Sequence, residues 1–320
     1  MGKILMIIPL AVMAVEPVLV GQSMTTAEPT EIMSPGGEYS LSFEYGRGNT
    51  EYVTIERFTV RTKTDALVYE KTQTKHTLLD ISDNGIVVGI DYDGPVSGKA
   101  RLHFYDAKGQ EVGTALIGFL LERMFSHGGS VYCVNDGTEG VRVFRSDGIE
   151  LYRLSTCNKI AVSPDGSCIA VARDDGIHVY ENGERTNTFI LTSPFVRQMK
   201  FSQDNNLFGF ITSKTFTMYD LSEHTHLFEY EAQPGDRYFI SFDILHDNSG
   251  FVCGLDVDGG RGIPDRHTKG YLYVIDDHGT LLWQDEMQYD KWNIHVPSVQ
   301  VESENEFTVS TIDQVYYYEY

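Results

Sequence analysis

Short apolar runs, each stopped by a tight polar turn, pattern almost the whole chain. In "KIAVSPDGSCIAVARDDGIHVYENG", residues 159–183, three such runs are separated by Ser-Pro-Asp-Gly and Asp-Asp-Gly. Proline presets the φ of a turn, and glycine accepts the positive φ that other residues avoid. Runs this short predict strands rather than helices, and residues 185–191 supply a fourth.

The unit recurs. A hydrophobic residue, a Ser-like turn and an apolar run appear as "MSPGGEYSLSF" at Met33, "ISDNGIVVGI" at Ile81, "FSHGGSVYCV" at Phe125, "VSPDGSCIAV" at Val162 and "FSQDNNLFGF" at Phe201. Weaker copies are "LHDNSGFVCGL" at Leu245 and "VESENEFTVS" at Val301. Subtracting these positions gives steps of 48, 44, 37, 39, 44 and 56 residues, the repeat length of propeller blades. The third strand repeats too, for example as "RLHFYDAKG", "VRVFRSDG" and "YLYVIDDHG". Four strands in each of seven units predict an all-β chain: a seven-bladed β-propeller of four-stranded antiparallel blades. The seventh unit ends on its third strand, "QVYYYEY", so its outer strand must come from the N-terminus, with residues 18–28 as the candidate.

The Ser-Pro-Asp-Gly at Ser163 and the strand after it resemble WD40-like and TolB-like propeller repeats. "YLYVIDDHGTLLWQDEM" at 271–287 is similar to the quinoprotein-type repeat. The resemblance spans roughly residues 30–320 and implies a fold, not a task, because propellers host scaffolds, receptors and enzymes alike. The chain departs from these families in lacking a GH…WD signature and the adjacent cysteine pair of pyrroloquinoline-quinone dehydrogenases.

Charge narrows the partners. With 25 basic against 46 acidic residues the net charge is −21, which disfavours nucleic acid and anionic membranes. The apolar run in "MGKILMIIPLAVMAVEPVLVGQS" is too short to span a bilayer and reads as a signal peptide over residues 1–23, ahead of a single propeller domain at 24–320. The expected location is therefore periplasmic or extracellular, and the expected state a monomer. Cleavage near Ser23 competes with use of the same segment as the closing strand. Cys133, Cys168 and Cys253 lie in apolar runs and Cys157 in a connector, so buried, reduced thiols are expected.

The b-to-c turns and d-to-a connectors of such blades share one rim. That rim carries Asp91, Asp93, Asp136, Asp174, Asp175, Asp256, Asp258, Asp265 and Asp313, with Arg197, Arg237, Trp292 and His295 on the connectors. Such carboxylates attract a basic protein or peptide, and aromatic plus Arg composition suits a binding hot spot. The leading expectation is a non-enzymatic binding module with no cofactor. One alternative is a propeller-type lyase or hydrolase using His295 with Arg237 and Asp256 at the channel mouth. Another is a structural protein stabilised by a divalent cation such as calcium, suggested by Asp-x-Asp-Gly at Asp91 and Asp256, although the full calcium-loop pattern is missing. Neither a G-x-S-x-G elbow nor an H-E-x-x-H motif is present.

Overall fold

The computed structural model describes residues 18–24, 31–46, 54–92, 98–191, 195–233, 237–257, 269–288, 298–303, 306–310 and 314–319. Seven four-stranded antiparallel sheets follow one another along the chain. An N-terminal strand, β1 (Val18–Met24), precedes sheet 1, which holds β2 (Glu31–Met33), β3 (Tyr39–Tyr45), β4 (Ile55–Thr62) and β5 (Leu67–His76). Sheet 2 holds β6 (Leu78–Ile81), β7 (Val87–Tyr92), β8 (Ala100–Tyr105) and β9 (Glu111–Ile117). Sheet 3 holds β10 (Leu120–Phe125), β11 (Val131–Asp136), β12 (Gly140–Arg145) and β13 (Glu150–Leu154). Sheet 4 holds β14 (Lys159–Val162), β15 (Cys168–Arg173), β16 (Gly176–Glu181) and β17 (Glu184–Phe189). Sheet 5 holds β18 (Gln198–Phe201), β19 (Leu207–Ile211), β20 (Thr215–Asp220) and β21 (Thr225–Glu231). Sheet 6 holds β22 (Arg237–Ile244), β23 (Gly250–Val257), β24 (Lys269–Asp276) and β25 (Leu281–Gln288). Sheet 7 holds β26 (Ser298–Ser303), β27 (Glu306–Ser310) and β28 (Gln314–Glu319), and β1 is its fourth strand. Leu19 lies opposite Tyr318 and Ser23 opposite Val315, so the chain enters sheet 1 directly from sheet 7.

One hydrogen-bond device builds the first hairpin of five sheets. Ser34, Ser82, Ser126, Ser163 and Ser202 are buried. Each serine Oγ accepts from a backbone N–H four or five residues on, at 2.8–3.2 Å. The turn closes through a left-handed residue, Gly166 at φ +80° in sheet 4 and Asn205 at φ 63° in sheet 5. Asparagine tolerates this conformation better than most side chains, so the glycine of the motif can be replaced there.

Apolar clusters join the sheets in chain order. Phe58 packs in one cluster with Ile81 and Tyr105 between sheets 1 and 2, and Phe104 with Tyr132 between sheets 2 and 3. Val143 and Ile169 share the cluster between sheets 3 and 4, and Val179 and Phe208 that between sheets 4 and 5. Phe216 and Phe251 join sheets 5 and 6, and Val274 and Phe307 join sheets 6 and 7. Sheets 2 to 6 are covered on both faces, so their central strands read as continuous apolar runs. Cys133, Cys157 and Cys253 lie inside these clusters, and all four cysteines are free. Burial pushes the Cys157 thiol up to about 12, far from a nucleophilic thiolate.

The first strands of successive sheets lie side by side, β14 by β18 and β22 by β26 among them. Their exposed edges would leave backbone N–H groups unpaired, and side chains of the preceding sheet satisfy several. Ile160 N–H donates to Glu122, Phe242 N–H to Gln198, and Val301 N–H to Asp243. Ion pairs run along the same seam: Arg123 with Asp80 at 2.5 Å, Lys159 with Glu122 at 3.2 Å, and Lys200 with Asp243 at 2.9 Å.

His127, in the first turn of sheet 3, meets groups from sheets 2, 5 and 6. Burial lowers its pKa, against the raising influence of Asp83, Asp243 and Gln203 and alongside the lowering one of Lys200. An unfolded histidine titrates near pH 6.5, so as pH falls below about 6.5 the unfolded chain takes up a proton that folded His127 still refuses. His127 therefore contributes a loss of stability toward acid, and His127→Gln removes it. Urea titrations from pH 7.5 down to pH 5.5 should show the variant gaining on the native chain as pH falls. A constant difference would contradict this.

Candidate functional site

At the end of each sheet where the second strand turns into the third, the predicted carboxylates divide into distinct environments. Asp174 and Asp175 are exposed in the tight turn between β15 and β16. Asn158 donates to Asp174 at 3.3 Å, and Asp175 accepts from His178 Nε2 at 3.0 Å, with Arg173 at 3.6 Å. That hydrogen bond from His178 lowers the pKa of Asp175. Asp136 is fully buried. Its oxygens accept from the Gly118 N–H at 2.7 Å and from the Thr138 N–H and hydroxyl at 3.0 and 2.7 Å. It pins the connector from sheet 2 onto a turn of sheet 3 and faces no solvent.

Arg197 donates through Nε to Ser213 at 3.2 Å and lies over the Tyr238 ring at 5.2 Å, with Lys214 over the same ring at 5.9 Å. This sector is thus basic and aromatic. Arg237 and Asp256 occupy adjacent register positions on β22 and β23, where Arg237 lies opposite Val257 and Tyr238 opposite Asp256. Asp93, Asp258, Asp265, Trp292, His295 and Asp313 lie outside the described residues.

The same end of sheets 3, 4 and 5 presents large apolar side chains. Phe119 and Leu121, at the entry to β10, are 53% and 55% exposed, and Ile190 and Phe195, between β17 and β18, are 85% and 62% exposed. The sequence pattern did not single them out, because Phe119, Ile190 and Phe195 sit in connectors and Leu121 at the first end of β10, where no strand periodicity marks them.

Asp91 turns away from the rim into the seam between sheets 1 and 2. Gly89, Asp91, His103 and Tyr105 share one face of β7 and β8, because Gly89 pairs with His103 and side chains alternate along a strand. His76, the last residue of β5, lays its ring over Gly89, where an added Cβ would come within 2.5 Å of His76 Nε2. Thr77 then holds the connector down by donating its N–H and hydroxyl to the Ile90 carbonyl, both at 2.8 Å. His76 Nδ1 lies 2.5 Å from Asp91 Oδ1, and His103 Nε2 lies 3.1 Å from Oδ2. His76 Nε2 meets the Tyr105 hydroxyl at 2.9 Å, and His103 Nδ1 meets Glu111 at 3.2 Å. Phe58 closes the inner side, its ring centroid 6.3 Å from that of His76. Burial would raise the Asp91 carboxyl, but His103 and His76 outweigh it and hold the group well below the usual carboxylate range. His103 is pushed up, chiefly by Asp91.

At the opposite end, the turn between β20 and β21 makes structural contacts. His224 meets Asn187 of the neighbouring sheet at 3.1 Å, beside a cleft of about 470 Å³ between sheets 4 and 5. His226 packs edge-on against Tyr219.

No known family profile matches the chain, and no curated protein matches it in sequence. Solved structures do match in shape. The structure of Kluyvelomyces marxianus Hsv2 superposes with a TM-score of 0.58 at 10% identity, covering 88% of this chain and 87% of that one. The C-terminal WD40 domain of Sif2 superposes with a TM-score of 0.60 at 11% identity, covering 95% of this chain and 83% of that domain. The fold resembles a WD40 domain. At such identities the WD40-like likeness is one of architecture, and the function has to be argued from this chain's own surface.

Proposed function

We propose that the seven sheets close radially into an exported, seven-bladed β-propeller that acts as a non-enzymatic binding module. Six apolar interfaces linking seven sheets in order, and the return of β1 to sheet 7, support the radial closure. The partner is a basic protein or peptide segment carrying apolar side chains. One observation carries this reading: Phe119, Leu121, Ile190 and Phe195 are exposed at the same end of sheets 3–5 as the exposed carboxylates Asp174 and Asp175. Large exposed apolar groups rimmed by polar residues mark interaction sites. Apolar anchors supply the affinity, while the carboxylates and the net charge of −21 steer a cationic partner and set its specificity.

The test uses a displayed library of random peptides panned on the purified chain, beside Phe119→Ala/Phe195→Ala and Asp174→Asn/Asp175→Asn variants. The native chain should enrich peptides combining Lys or Arg with Leu, Ile or aromatic residues, with binding weakened by salt. Each double variant should bind the enriched peptides at least about tenfold more weakly, a loss of about 1.4 kcal/mol. Enrichment of acidic or purely polar peptides, or equal binding by the variants, would refute the assignment.

A further inference from the structure

We propose that His76, Asp91 and His103 form a binding site for a divalent transition-metal ion of the zinc class, clamping sheet 1 to sheet 2. Their donor atoms, one from each residue, lie within 4.8 Å of one another, and the ligands come from β5, β7 and β8. Zinc holds nitrogen and carboxylate oxygen at about 2.0–2.2 Å, which places tetrahedral donors roughly 3.3 Å apart. The present spacing reaches that value by small rotations of side chains that already converge.

The decisive feature is the nitrogen of His103 that faces Asp91. A carboxylate only accepts hydrogen bonds, so the contact with Glu111 assigns the ring proton of neutral His103 to Nδ1. Nε2 then presents a lone pair toward the anionic Asp91 oxygen at 3.1 Å, and this buried atom has no aligned hydrogen-bond donor. A proton on Nε2 or a metal ion between the two atoms relieves this contact, and the convergence of a third donor from His76 on the same point favours the metal. The far nitrogen of each histidine is already oriented, His76 by Tyr105 and His103 by Glu111, which is how ligating imidazoles are held in metal sites. One doubly charged ion also neutralises Asp91 together with Glu111.

Two imidazoles and one carboxylate select the metal. Calcium takes six to eight oxygen ligands and gains little from imidazole, whereas zinc, cobalt and nickel accept this donor set. The side chain of Asp91 is 30% exposed, so solvent can supply the fourth ligand. The site is independent of the peptide-binding surface proposed above.

The experiment strips the full chain with a chelator, then titrates it with cobalt(II) and displaces the cobalt with zinc(II). The expected result is one cobalt per chain, with the intense visible absorption of a four-coordinate ion, lost on adding one equivalent of zinc. Asp91→Asn and His103→Gln should each weaken zinc binding at least tenfold, and His226→Gln should leave it unchanged. Glu111→Gln, on an exposed strand end, should weaken zinc binding about tenfold to a hundredfold by removing the negative charge that makes the His103 ring more basic, and it serves if the ligand variants fail to fold. Calcium should not displace cobalt. Absence of stoichiometric cobalt, octahedral-type spectra, or binding indifferent to Asp91→Asn, His103→Gln and Glu111→Gln would overturn the proposal and leave a hydrogen-bonded His-Asp-His cluster.

Discussion

Deleting residues 1–24 is expected to cost the folded chain about 3–6 kcal/mol, at a net of about 0.5–1 kcal/mol for each of the six residue pairs that β1 makes with β28. The loss falls on one sheet. Without β1, strand β28 becomes a bare edge bearing tyrosines at 316, 317 and 318, an invitation to pair with another chain. The link that carries the chain from sheet 7 into sheet 1 goes with it. A urea titration should show a lower midpoint, and light scattering should show association of the shortened chain at concentrations where the full chain stays dispersed. An unchanged midpoint would mean that β1 contributes nothing to folding. The experiment also bears on the signal peptide expected over residues 1–23, since cleavage after Ser23 would leave only Met24 of β1. Mass measurement of the N-terminus of the chain recovered from its producing cell decides between strand and leader, because Val18–Met24 is either kept or lost.

Phe216→Ala should destabilise the chain by about 3–5 kcal/mol, the usual cost of emptying a fully buried aromatic site. Phe216 is at 0% exposure, and four rings surround it: Phe242 at 5.1 Å, Phe251 at 5.3 Å, Phe228 at 5.7 Å and Phe239 at 6.3 Å. Three of those rings come from sheet 6, so the side chain is an apolar bridge between sheets 5 and 6. The cavity cannot collapse easily, because Met218 and Phe242 already crowd Gly209 and Phe228 crowds Gly279. Phe216→Leu should recover more than half of the loss. If alanine and leucine proved equally mild, the cluster would have to be looser than its ring spacings indicate.

Much of the architecture was written locally. A buried serine that caps its own hairpin, a following left-handed glycine or asparagine and a short apolar run are all properties of ten consecutive residues. The five strong copies at Ser34, Ser82, Ser126, Ser163 and Ser202 could therefore be read directly. Even the weak copies at Leu245 and Val301 begin hairpins, β22 to β23 and β26 to β27. The need for an outer strand to complete sheet 7 followed from counting strands, and β1 occupies the stretch that the count pointed to.

The candidate sites were legible only in part. Asp91, Asp136 and Asp174 look alike in the sequence, each next to a glycine-containing turn. Asp174 faces solvent, Asp136 is sealed under the Gly118 connector, and Asp91 turns into a neighbouring sheet toward His76 and His103. No spacing rule could have linked residues 76, 91 and 103, because their approach depends on the end of β5 meeting a face of sheet 2 across an opening left by Gly89. The sequence by itself determined strand number, turn chemistry and net charge, since these depend on backbone preferences and composition within each short segment. Only the tertiary structure decided which carboxylates meet water, which meet imidazole, and where Phe119 and Phe195 stand exposed, because those outcomes depend on how one sheet packs on the next.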